Sequence, residues 1–145
     1  MKLISIIILA VVCFFSGFVS AAEPQDPTGK IETFLRGVIA GGVNESFDKI
    51  VAGSPLEKNV EAITSLKKQA VSEIVICGMP LDYEFVKSGV FGLSITEMFY
   101  VLKCQLRPLV WKFTFYKPLD TWVLIDISLG QRVGDENLLR NPTAY

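Results

Sequence analysis

From Thr28 onward the apolar residues Ile31, Phe34, Leu35, Val38 and Ile39 recur at steps of three or four, the spacing that places them on one face of a helix. Thr28 is the expected N-cap, and Gly41-Gly42 ends the run. Phe47, Ile50 and Val51 predict a short second helix after Asn44, stopped by Gly53. Ser54-Pro55-Leu56-Glu57 combines a capping serine, a proline at the first helical position and a glutamate three residues after the serine. It predicts a long third helix, along which Leu56, Val60, Ile63, Leu66, Ala70 and Ile74 form the apolar stripe.

Near Val75 the period changes, and Gly78-Met79-Pro80 marks a switch to strands. Four runs rich in aromatic and β-branched residues come next: 81–90, 96–106, 109–116 and 122–129. Their connections are too short for parallel crossovers, so the strands form an antiparallel meander and the fold class is α+β. With a loop over 117–121, Tyr116 faces Trp122. Trp111, Phe113, Phe115, Val123, Ile125 and Ile127 then share the core face. The other face carries Lys112, Thr114, Tyr116, Trp122, Leu124 and Asp126, with Lys112 directly opposite Asp126.

The mean hydropathy of +0.42 is high, and its cause lies at the N-terminus. Met1-Lys2, the apolar run Leu3 to Phe15 and the small residues from Gly17 to Ala22 read as an export signal over 1–22, cleaved after Ala21 or Ala22. The uncharged stretch from Leu3 to Ala22 is also just long enough for a membrane anchor, so the membrane enters only through an uncleaved signal. Val12 before Cys13 argues against lipid attachment there. After a short Pro24/Pro27 linker, one domain occupies 23–130. Residues 131–145, which include Gly134, Asp135, Glu136 and Pro142, read as a mostly disordered tail. The expected location is periplasmic or secreted.

The 14 Lys and Arg nearly balance the 15 Asp and Glu, so no basic surface for nucleic acid is signalled. There is no histidine, which excludes a Ser-His-Asp triad, a Cys-His dyad and imidazole metal sites. Two cysteines remain after the signal, Cys77 and Cys104. They are too few for structural zinc, and their spacing fits either a disulfide or two buried thiols. No cofactor is expected. Asn44-Glu45-Ser46 matches a glycosylation acceptor, a pattern that is frequent by chance.

Three helices followed by strands that end in Trp111-Lys112-Phe113-Thr114-Phe115-Tyr116-Lys117-Pro118 and Trp122-Val123-Leu124-Ile125 resemble the NTF2-like superfamily, also called cystatin-like in fold. The resemblance spans about 28–130 and is closest to small exported bacterial members. It implies helices packed on a curved four-stranded antiparallel sheet, a cone whose open end can be a pocket, and frequent sheet-to-sheet dimers. On that basis Trp111, Phe113 and Tyr100 are the expected pocket lining for a small apolar ligand. Tyr116, Trp122 and Leu124 are the expected interface of a homodimer through the outer sheet face. The function expected is a non-catalytic binding or accessory protein taking such a ligand or a protein partner. The alternative is a lyase or isomerase using one carboxylate and one tyrosine, with Asp126 as base and Tyr116 or Tyr100 as donor. Asp82 and Glu84 read as solvent-facing edge charges.

Overall fold

A computed structural model of the chain describes residues 26–130. The export signal expected over 1–22 and the tail expected over 131–145 lie outside the described residues. Three α-helices, α1 (Pro27–Ile39), α2 (Val43–Val51) and α3 (Val60–Cys77), precede four strands, β1 (Pro80–Phe91), β2 (Ile95–Cys104), β3 (Leu109–Tyr116) and β4 (Val123–Gly130). The strands form one antiparallel sheet in sequence order. The α+β class, with helices ahead of a four-stranded meander, is the one the periodicity predicts. Among the described residues, no helix is long and apolar enough to cross a membrane.

Helix starts differ in detail from the expected caps. Asp26, not Thr28, caps α1: its Oδ1 accepts from the Thr28 amide at 3.4 Å, with Pro27 in the first turn. The Ser54-Pro55-Leu56-Glu57 signal produces only a 3-10 turn over Pro55–Lys58. Ser54 Oγ donates back to the Val51 carbonyl at 2.6 Å, and Glu57 Oε2 accepts from the Gly53 amide at 2.8 Å. With its side chain committed to the preceding turn, Ser54 cannot cap the next helix. Asn59 does so instead, accepting from the Ala62 amide at 3.3 Å, and α3 begins there.

The core lies between the helices and one face of the sheet. α1 buries Ile31, Phe34, Leu35 and Val38. The Phe34 ring meets Phe47 of α2, Trp111 and Phe113 edge-on, with centroids 5.1, 5.2 and 5.6 Å away. Cross-strand pairs Tyr100↔Trp111, Met98↔Phe113 and Leu102↔Leu109 place these side chains on the helix-facing side.

The last hairpin departs from the expected register. Tyr116 pairs with Val123 and Phe115 with Leu124, then the partners jump to Thr114↔Asp126 and Phe113↔Ile127. Ile125 is the extra residue of a β-bulge, which resets the alternation along β4. Leu124, Ile127 and Leu129 therefore join the core, whereas Ile125 is 37% exposed and Val123 half-buried. Lys112 lies opposite Ser128 rather than Asp126, which it reaches diagonally at 3.7 Å.

Candidate functional site

Trp111, Phe113 and Tyr100, the expected pocket lining, are at most 1% exposed and belong to the packed core. Rings of Phe34 and Phe47 fill the space in front of them. The Trp111 indole N–H meets no acceptor among the described residues. Clefts lie elsewhere. One, of about 570 Å³, runs between α1 and α2 and is lined by Lys30, Thr33, Phe34, Ser46, Lys49 and Ile50 among others. Another, about 330 Å³, lies between α3 and the β4 edge and includes Ser65, Gln69 and Asp126.

Of the three residues expected at an outer-face interface, only Tyr116 is on that face. Leu124 is 1% exposed in the core, turned inward because of the bulge after it. Trp122 is half-buried against the core, with the Lys117 ammonium 5.1 Å from its ring centre.

The carboxylates can be placed in the same way. Asp126 accepts from Ser128 Oγ at 2.8 Å and sits beside Lys112 on the outer side. Asp82 and Glu84 are exposed and both face Lys103, at 3.8 and 2.9 Å. None of these three stands beside Tyr100. A carboxylate that does is Glu32 of α1, a residue the periodicity does not single out.

Glu32, Arg36, Tyr83 and Tyr100 meet where α1 crosses β1 and β2. Arg36 donates from Nε to Tyr83 Oη at 3.2 Å and from Nη2 to Glu32 Oε2 at 3.3 Å. For Tyr100 this neighbourhood disfavours the ionised form. Burial first, then the negative potential of Glu32, Tyr83 and Asp26, pushes its hydroxyl up to about 12, against an opposing hydrogen bond with Thr28. The phenol therefore remains a neutral hydrogen-bonding group across the physiological range, unsuited to act as a base. The cluster fastens α1 to the sheet.

At the far end of α3 the two cysteines come together. Cys77 and Cys104 are paired as a disulfide, with Cα atoms 5.6 Å apart. Beside them the buried Glu73 pairs with Arg107, and the Leu106 and Gln105 amides donate to the Cys77 and Met79 carbonyls at 2.9 and 3.1 Å. Gly78, at φ +83°, makes this possible: a Cβ there would meet Leu106 at 3.1 Å and Gln105 at 3.3 Å. Helix and sheet are thus clamped next to the β2–β3 turn.

Among the described residues, one group of exposed apolar side chains lies along β1 and the turn after it. β1 itself has a strand neighbour on one side only among the described residues. Leu81, Phe85, Val86, Val90 and Phe91 are 42–67% exposed along it, and Leu93 in the β1–β2 turn is 89% exposed. The residue pattern of β1 predicts a strand, but no sequence signal marks it as an edge; only the sheet order does. Comparison with known proteins adds no relative: no protein-family model, curated protein or solved structure matches this chain.

Proposed function

We propose that this chain is an exported, non-catalytic accessory protein of NTF2-like fold, whose ligand is another protein docked along the edge of β1. The observation that carries the reading is the set of exposed apolar side chains between Leu81 and Leu93 on a strand that pairs on one side only among the described residues. Such an edge offers unpaired backbone donors and acceptors to an incoming extended segment, and its alternate side chains supply apolar contacts. The filled core favours a surface partner over a small apolar ligand held in the cone. The NTF2-like assignment rests on the element order and the aromatic, Lys-Pro, Trp-x-Leu hairpin. Export is supported by the signal-like start and by a cysteine pair at bonding distance.

A double substitution, Val90→Asp with Leu93→Asp, tests it. Both side chains are exposed, so stability should change by no more than about 0.5 kcal/mol. The amount of partner recovered with the native protein from its own cells should fall at least tenfold. Recovery equal to that of the unaltered chain would overturn the proposal. So would a small molecule found bound in the native mass spectrum in place of a polypeptide.

A further inference from the structure

The cleft between α1 and α2 holds about 570 Å³, within the range of about 300–1,000 Å³ common for small-molecule sites. Among the described residues its lining falls entirely within 26–52, so it shares no side chain with β1. One end is pinched where the helices touch: a Cβ on Gly37 would lie 2.2 Å from Ser46 Oγ, and its absence permits the close approach. About two turns back along α1, at Gly29, a Cβ would meet nothing within 4 Å, so the cleft opens toward the start of that helix.

Helical spacing sets the chemistry of the two walls. Lys30, Thr33 and Gly37 stand at i, i+3 and i+7 on α1, and Ser46, Lys49 and Ile50 at i, i+3 and i+4 on α2. Each wall thus brings one ammonium and one hydroxyl to a floor of buried Phe34 and Ile50. Both hydroxyls donate to nearby carbonyls, Thr33 to Gly29 at 2.9 Å and Ser46 to Gly42 at 2.6 Å, which leaves the ammoniums as the side-chain donors for a ligand. Among the described residues neither Lys30 nor Lys49 is in an ion pair, whereas Lys67, Lys103 and Lys112 each face a carboxylate. The carboxylate in the lining, Asp26, accepts from the Thr28 amide as the cap of α1. We propose that this cleft binds a small amphipathic carboxylate, its head between Lys30 and Lys49 and a short apolar body over Phe34 and Ile50. Two ammoniums against one carboxylate give the lining a single positive charge, which matches a monoanion. The site is independent of docking at β1, and a carboxylate held here is compatible with a polypeptide held there.

Titration of the native chain with octanoate, followed through its backbone amide shifts, tests the proposal. Octanoate should bind saturably with the largest shifts within 29–50, and octanol and acetate should each bind more weakly by about tenfold or more. Lys30→Gln with Lys49→Gln should weaken octanoate by a similar factor, and Lys30→Arg with Lys49→Arg should retain it, both with the native helical signal. Gly29→Leu, which adds a side chain at the open end without changing a charge, should also block binding. Absence of saturable binding up to about 10 mM would overturn the proposal, as would unchanged affinity in the glutamine variant or shifts confined to β1. Octanol bound as tightly as octanoate would reduce the cleft to an apolar surface, and acetate bound as tightly would reduce it to a bare charge site; either result rejects the amphipathic carboxylate. Both comparisons use the unaltered chain and decide the matter even where a variant fails to fold.

Discussion

Tyr100 joins packing and electrostatics in one residue. Its buried ring meets Phe113 and the half-exposed Phe85 edge-on, while its hydroxyl feels Glu32, Tyr83 and Asp26. Because the folded state raises the phenol from 10 to about 12, the folded protein holds this proton more tightly than the unfolded chain does. The stability from that difference is complete below pH 10 and is lost as pH rises from 10 to 12. Denaturant titrations at pH 9 and pH 12 should show this loss in the native protein and a smaller one in Tyr100→Phe. Equal losses would remove Tyr100 from the account. Two glycines of α1 provide a second residue-level contrast. A Cβ on Gly37 would lie 2.2 Å from Ser46 Oγ and 3.3 Å from Ser46 Cβ, whereas one on Gly29 meets nothing within 4 Å. Gly37→Ala should destabilise by about 1–3 kcal/mol through overpacking of α1 on α2. Gly29→Ala should be neutral or stabilise by up to about 1 kcal/mol through helix propensity, both read from denaturant midpoints.

Among the elements, the joint between α3 and the β2–β3 turn depends most on single covalent and ionic links. The disulfide closes a loop of 27 residues, which in the chain-entropy description is worth roughly 3.5 kcal/mol. Replacing Cys77 and Cys104 together by Ala should lower stability by about that amount, and reducing agent should have no further effect on the variant. A change below about 1 kcal/mol would contradict the clamp. Truncating Phe34, which ties α1 to α2 and β3, should cost about 3–5 kcal/mol in the same assay. Much at this scale is legible in the sequence: three helices and four strands in order, because the spacing of apolar residues switches cleanly near Gly78. The β4 register is not legible. Leu124, Ile125 and Ile127 are all apolar, so either alternation satisfies the pattern, and only packing against the core decides that Ile125 bulges outward. The third helix start is ambiguous for a related reason, since both Ser54 and Asn59 are good caps and the serine is used by the turn before it. Contacts between distant positions are beyond reach as well: Arg36 and Tyr83 meet across 47 residues with no local pattern to join them.

At the scale of the whole molecule, the two faces and one edge of the sheet have different fates. One face is packed by the helices, the other buries Val110 and Phe99, and β1 carries exposed apolar residues interspersed with the charged Asp82, Glu84 and Lys87. A long apolar edge strand left open invites indiscriminate pairing, and its retention is most simply understood if a partner strand occupies it. The register shift between Phe85 and Lys87 interrupts the edge midway, which limits pairing between copies. The candidate lining and interface residues read from the sequence fall largely in the core because aromatic residues on a strand report burial, whichever surface buries them. Site-specific photo-crosslinking from position 90, inside the cells that make the protein, tests the docking claim most directly. Position 58, in the 3-10 turn that packs by β4 at the other edge of the sheet, is the control. The account predicts one discrete polypeptide adduct from position 90, lost when Leu93 is changed to Asp, and none from position 58. No adduct at position 90, or the same adduct from both positions, would contradict it.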